Sequence, residues 1–116
     1  NTPLQAMNLL NDPQYVEAAR ALATRMLTEG GDSVEQRITH GHRLVLSRKP
    51  TPAILIILKN GYRAYLKHFR TDGEAAKALI AVGKSAPAEA LDAAELAAFT
   101  TLANILLNLD ETVTKE

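Results

Sequence analysis

The chain has 116 residues, 47% of them hydrophobic, enough for one domain that buries about two-thirds of its unfolded surface. Lys plus Arg and Asp plus Glu each total 13, which excludes a globally basic nucleic-acid binder and a disordered polyelectrolyte. With no cysteine, disulfides, thiol catalysis, zinc–thiolate sites and covalent c-type haem attachment are excluded within the chain.

The apolar content is mostly Ala and Leu, with two Phe, three Tyr and no Trp. That balance favours closely packed helices, because strands prefer β-branched and aromatic side chains. The longest apolar run, Ala53 to Leu58, falls far short of the roughly 18 residues a membrane span requires. The chain opens on Asn1, and Thr2-Pro3 already resembles a helix start, so a piece of a longer polypeptide is expected.

Helix starts are marked by Pro after a capping residue, where the missing N–H costs nothing. Thr2-Pro3, Asp12-Pro13 and Thr51-Pro52 fit that pattern, and Thr2/Gln5, Asp32/Glu35, Thr71/Glu74 and Asp92/Glu95 have capping-box spacing. The first predicted helix is Pro3–Leu10. The second, Pro13–Thr28, turns Val16, Ala19, Ala23 and Met26 inward and ends at Gly30-Gly31. The third, Ser33–Leu46, has Val34, Ile38, Gly41 and Val45 as its inward line. The fourth, Pro52–Phe69, faces in with Leu55, Leu58, Tyr62, Leu66 and Phe69. A short fifth, Asp72–Val82, stops at Gly83, and a loop to Leu91 follows. The sixth, Ala93–Leu109, buries Leu96, Phe99, Ala103, Leu106 and Leu109. The expected fold is all-α: a single domain over 1–116, an irregular bundle of about six helices, four longer and two short.

Three groups of residues resemble a known family. They are Asn1-Thr2-Pro3-Leu4-Gln5-Ala6 with Leu9-Leu10-Asn11-Asp12-Pro13 and Val16 to Ala23, then Arg43-Leu44-Val45-Leu46 with Arg48 and Pro50-Thr51-Pro52, then Leu106 to Glu111 closing in Val113-Thr114-Lys115-Glu116. Together they resemble the C-terminal domain of unknown function of large planctomycete proteins, which commonly also carry a planctomycete-type c-type cytochrome domain and a second uncharacterised domain. The resemblance implies the C-terminal part of a larger family domain, and an extracytoplasmic or periplasmic location, because c-type haem is assembled outside the cytoplasm. It carries over no catalytic residue. Ile54 stands where the family pattern has Glu, and Thr112 where it has Phe.

Candidate chemistry is sparse. His40 and His42 lie two apart, so on a helix they point about 200° from each other and cannot share a metal; His68 is isolated. The acids at Asp92/Glu95 and Asp110-Glu111 sit at helix ends, and no serine or glycine-rich loop has the context of a nucleophile or phosphate site. No catalytic residue, metal ligand or cofactor is expected within the chain. Asp12 is expected to cap the second helix, and Asn104 and Asn108 to share one face of the sixth.

Charge carries more information. From Gln36 to Thr71 there is no Asp or Glu, and Lys59, Arg63, Lys67 and Arg70 follow one another at steps of four, four and three. Either the acidic C-terminal part compensates this stripe, or the stripe is an anion-binding face for acidic polysaccharide, acidic lipid or an acidic partner. Ile54-Leu55-Ile56-Ile57-Leu58 is apolar around the whole helix, so it lies at the centre, or Ile54, Ile56 and Ile57 form an interface. The leading reading is a non-catalytic scaffold or docking module that meets other domains of its parent protein. The alternatives are a module binding anionic polysaccharide and a fragment of an enzyme completed upstream.

Overall fold

The structure, a computed structural model, describes residues 13–82 and 91–115, with side chains from 16 to 82 and from 91 to 109. Among them are five helices and no strand: α1 (Pro13–Glu29), α2 (Val34–Leu46), α3 (Pro52–Thr71), α4 (Gly73–Ile80) and α5 (Ala93–Lys115). The expected count of about six is therefore corrected to five described helices. The predicted first helix, Pro3–Leu10, and the Asp12 cap lie outside the described residues.

Local chemistry sets the starts. The Thr51 side chain accepts a hydrogen bond from the Ile54 amide at 3.2 Å, with Pro52 opening α3. Asp92 accepts from the Glu95 amide at 2.9 Å before α5. Two caps are displaced by one residue from the predicted ones. At α2 the capping box is Ser33 with Gln36, not Asp32 with Glu35: Ser33 Oγ accepts from the Gln36 amide at 3.1 Å, and Gln36 Oε1 accepts from the Ser33 amide at 3.2 Å. Both pairs have the required spacing, and the later one leaves the Glu35 carboxylate free to reach α3. At α4 the cap is Asp72, whose carboxylate accepts from the Ala75 amide at 3.1 Å. Thr71 instead ends α3, its hydroxyl donating back to the Lys67 carbonyl at 2.9 Å.

The last helix is the axle. α5 packs against each of the other four helices, and every residue from Leu96 to Asn104 is 0% exposed. Its Ala97, Ala98 and Ala103 keep the helix thin enough for neighbours on several sides, since interaxial distance follows the side chains at the contact. The Thr100 and Thr101 hydroxyls donate to the Leu96 and Ala97 carbonyls at 2.7 and 3.0 Å, so neither leaves a buried donor unsatisfied. Phe99 meets the Tyr62 ring of α3 at 4.5 Å between centroids.

The inward line of α1 matches the sequence reading: Val16, Ala19, Ala23 and Met26 are all buried. Met26 also explains Gly41 of α2, where an added Cβ would lie 2.6 Å from the Met26 sulfur. Elsewhere the faces rotate slightly. Val34, Val45, Leu55 and Leu66 are half-buried rather than central, whereas His42 and Tyr65 are buried. Leu109 is 40% exposed instead of buried, because it lies past the stretch that the other helices surround.

Candidate functional site

α3 carries the features that set this molecule apart. Its Leu58, Tyr62, Tyr65 and Phe69 are buried, which fixes the opposite side of the helix as the outer face. On that side two lines run along the axis. Ile56, Lys59, Arg63, Lys67 and Arg70 follow one another at steps of three and four; so do Ala53, Ile57, Gly61, Ala64 and His68.

The Ile54–Leu58 segment is not central. Leu58 is buried and Leu55 half-buried, but Ile54, Ile56 and Ile57 are 36%, 58% and 64% exposed. The first two turns of α3 thus carry aliphatic side chains in water. This is unusual for an apolar-all-round segment, which is normally enclosed.

The basic line is only partly neutralised. Lys59 Nζ reaches the Glu35 carboxylate of α2 at 3.1 Å. Arg63, Lys67 and Arg70 are exposed and take part in none of the described ion pairs. The expected compensation by the C-terminal acids is therefore not what holds Lys59. Glu89, Asp110, Glu111 and Glu116 lie outside the described side chains. Glu95 and Asp92, at the start of α5, act instead on the buried Tyr62 hydroxyl. Burial chiefly pushes that phenol above its ordinary value, the two carboxylates add to the rise, and Arg37 and Arg70 oppose it.

An open groove of about 450 Å³ lies where the end of α1, the outer side of α2 and Leu55 of α3 meet. Its carboxylates are already engaged. Glu29 accepts from Arg25 Nε at 3.1 Å and from His40 Nε2 at 3.1 Å, and these two hydrogen bonds hold it below the ordinary carboxylate range. Glu35, also on its wall, holds Lys59. The groove is a set of braces joining α1 to α2 and α2 to α3, without a carboxyl poised for proton transfer.

The histidines are dispersed as their spacing requires. His40 braces Glu29, His42 is buried and donates from Nδ1 to the Arg48 carbonyl at 2.6 Å, and His68 is exposed beside the Phe69 ring. Among the described residues no three His, Asp or Glu side chains gather closely enough to hold a metal ion. No helix among them is long and apolar enough to cross a membrane. Asn104 and Asn108 do share a side of α5; Asn104 is fully buried, and its backbone carbonyl accepts from Asn108 Nδ2 at 2.9 Å.

One residue escaped the sequence reading. Arg20 is 4% exposed, and its Nη1 donates to the Ile80 carbonyl and, at 2.9 Å, to the Val82 carbonyl. The guanidinium thereby ties α1 to the last carbonyl of α4 and to the backbone just beyond it, groups that a helix end leaves without internal partners. The signal was present: a lone charge set among the alanines on the inward side of α1.

A family model described as PSD1, protein of unknown function (DUF1553), matches residues 1–62. The chain belongs to that family. No curated protein and no solved structure matches it. The DUF1553 match ends at Tyr62, inside α3, so it takes in the exposed Ile54, Ile56 and Ile57 and stops just before Arg63.

Proposed function

We propose that the chain is a non-catalytic docking module, the C-terminal part of a larger DUF1553 domain in an exported multidomain protein, with the outer face of α3 as its contact surface. The observation that carries this reading is the exposure of Ile56 and Ile57, at 58% and 64% the most exposed large hydrophobic residues among the described ones, with Ile54 beside them. Exposed aliphatic residues that cluster beside charged ones mark interaction surfaces, whereas scattered ones do not. The resemblance of its motifs to the C-terminal domain of large planctomycete proteins supports both the multidomain setting and a place outside the cytoplasm. The other domains of that parent protein are the proposed partners.

The lack of cysteine makes the test direct. Ile57→Cys gives a single thiol in this chain, which maleimide should label rapidly here and slowly in the full-length parent protein, with labelling at position 57 read by peptide mapping. Equal rates in both would sink the docking reading.

A second reading rests on the cations that enter none of the described ion pairs. Arg63, Lys67 and Arg70, without Lys59, would bind an anionic polysaccharide through salt-sensitive attraction. Wild-type protein should then be retained on a sulfated-polysaccharide column at low salt, and Arg63→Glu/Lys67→Glu should flow through. Zero net charge makes the comparison clean, since bulk attraction cannot imitate a patch. Flow-through of the wild type would remove this alternative.

A further inference from the structure

The second line of α3 narrows what docks there. Gly61 sits at mid-helix, where glycine is less favourable than alanine because it loses more backbone freedom on folding. At Gly41 the reason for glycine is plain, since a Cβ would run into Met26. At Gly61 an added Cβ would meet only Tyr65 Cε2, at 3.6 Å, an ordinary contact. Among the described residues nothing needs Gly61 to be small. Ala53 and Ala64, on the same line, are exposed and equally slight. The line is therefore a shallow seam with Ile57 standing in it, bordered by Arg63 and Lys67, which take part in none of the described ion pairs.

Each property bears on the occupant. A seam of Ala, Gly and Ala lets another helix come close, because the contact side chains set the interaxial distance. A lipid surface gains nothing from small residues and instead rewards bulky aliphatic and aromatic ones. A polysaccharide would use the cations and leave Ile57 in water. A second copy would bring like charges together, since residues 36 to 71 contain no Asp or Glu. The occupant that uses the seam, the isoleucine and the cations together is a helix with an apolar stripe flanked by carboxylates.

We infer that the outer face of α3 receives an acidic amphipathic helix, seated along Ala53, Ile57, Gly61 and Ala64 with its carboxylates on Arg63 and Lys67. This rests on the docking reading above and specifies the partner's form. Helix-in-groove recognition of this kind takes anchors at helical spacing, and the charges fix orientation and partner choice.

The probe is a fluorescein-labelled helical peptide with an alanine–leucine stripe flanked by glutamates, titrated with the 116-residue chain and followed by anisotropy. Binding should weaken as salt rises, and Ile57→Glu and Arg63→Glu/Lys67→Glu should each reduce affinity about tenfold or more. The decisive variant is Gly61→Gln, which blocks close approach while its Cβ makes only an ordinary contact with Tyr65. It should lose affinity to a similar extent while its melting temperature holds. Full affinity in Gly61→Gln, equal binding of a scrambled peptide, or no binding of the amphipathic one would each overturn the inference. So would binding of the wild type to anionic phospholipid vesicles that Gly61→Gln leaves unchanged. If thiol protection at position 57 persists in the parent protein while the peptide fails, only the helical partner is refuted. Loss of that protection refutes the docking reading itself.

Discussion

Two stretches of this chain have exchanged the places that hydrophobicity alone would give them. Ile54–Leu58 of α3 is aliphatic at every position, yet Ile56 and Ile57 stand in water. Leu96–Asn104 of α5 contains three alanines, two threonines and an asparagine, yet all of it is buried. The difference is one of girth. A helix enclosed on every side must let several neighbours approach at once, and small side chains allow that. Isoleucines in all directions would hold neighbours apart and leave voids, which close-packed interiors do not tolerate. Buried hydroxyls cost little on α5 because each donates to a carbonyl one turn back. Apolarity decides how much surface seeks cover; side-chain size decides which helix can receive it from all sides.

The contrast can be broken most forcefully at its buried end. Phe99→Ala should destabilise the domain by about 3–5 kcal/mol, through lost transfer energy and the cavity left beside Tyr62. Denaturant unfolding measures it, and a loss near that of a surface substitution would place the core elsewhere. Arg20→Met should come next. It leaves the buried Ile80 carbonyl and the half-buried Val82 carbonyl without their charged donor, at a cost of about 1.5–3 kcal/mol. The loss should appear first as faster amide exchange in α4.

The caps should follow. Thr51→Ala and Ser33→Ala should each cost about 1 kcal/mol, and thermal melts that do not move would refute the boundaries of α3 and α2. A smaller effect is expected at alkaline pH. Burial pushes the Tyr62 and Tyr65 phenols above their ordinary value of 10.0. Their contribution to stability is therefore complete below pH 10.0 and is lost as pH rises through the raised folded values. Tyr62→Phe and Tyr65→Phe should flatten that alkaline decline, and an unchanged slope in both would contradict it. At the exposed end, Ile57→Gln should alter stability by no more than about 0.5 kcal/mol. A loss of several kcal/mol there would mean that Ile57 is covered within the domain, and the comparison would collapse.

Much of the backbone was legible because it depends on neighbours in sequence. Thr51-Pro52 and Asp92 name their helix starts, since a cap acts on amides two or three residues away. The misplaced cap at α2 shows the limit of such marks. Asp32/Glu35 and Ser33/Gln36 have identical spacing, so spacing does not choose between them; in the fold Glu35 instead reaches Lys59. The site was legible in outline: the basic line and the isoleucine cluster are both periodic. The loss of Lys59 to Glu35, the smallness of the Gly61 seam and the exposure of Arg63, Lys67 and Arg70 outside the described ion pairs were not.

By itself, then, the sequence determined the helical class, most of the ends of the described helices and the absence of thiol chemistry, because these follow from residue identity and contacts within one or two turns. Only the tertiary structure decided that α5 is the axle, that Arg20 closes α4 and that the isoleucines of α3 face outward. Those outcomes depend on which helices can approach one another, and that is set by side-chain volumes brought together from distant parts of the chain. Amphipathic periodicity shows that a helix has a face to bury; it does not show against what.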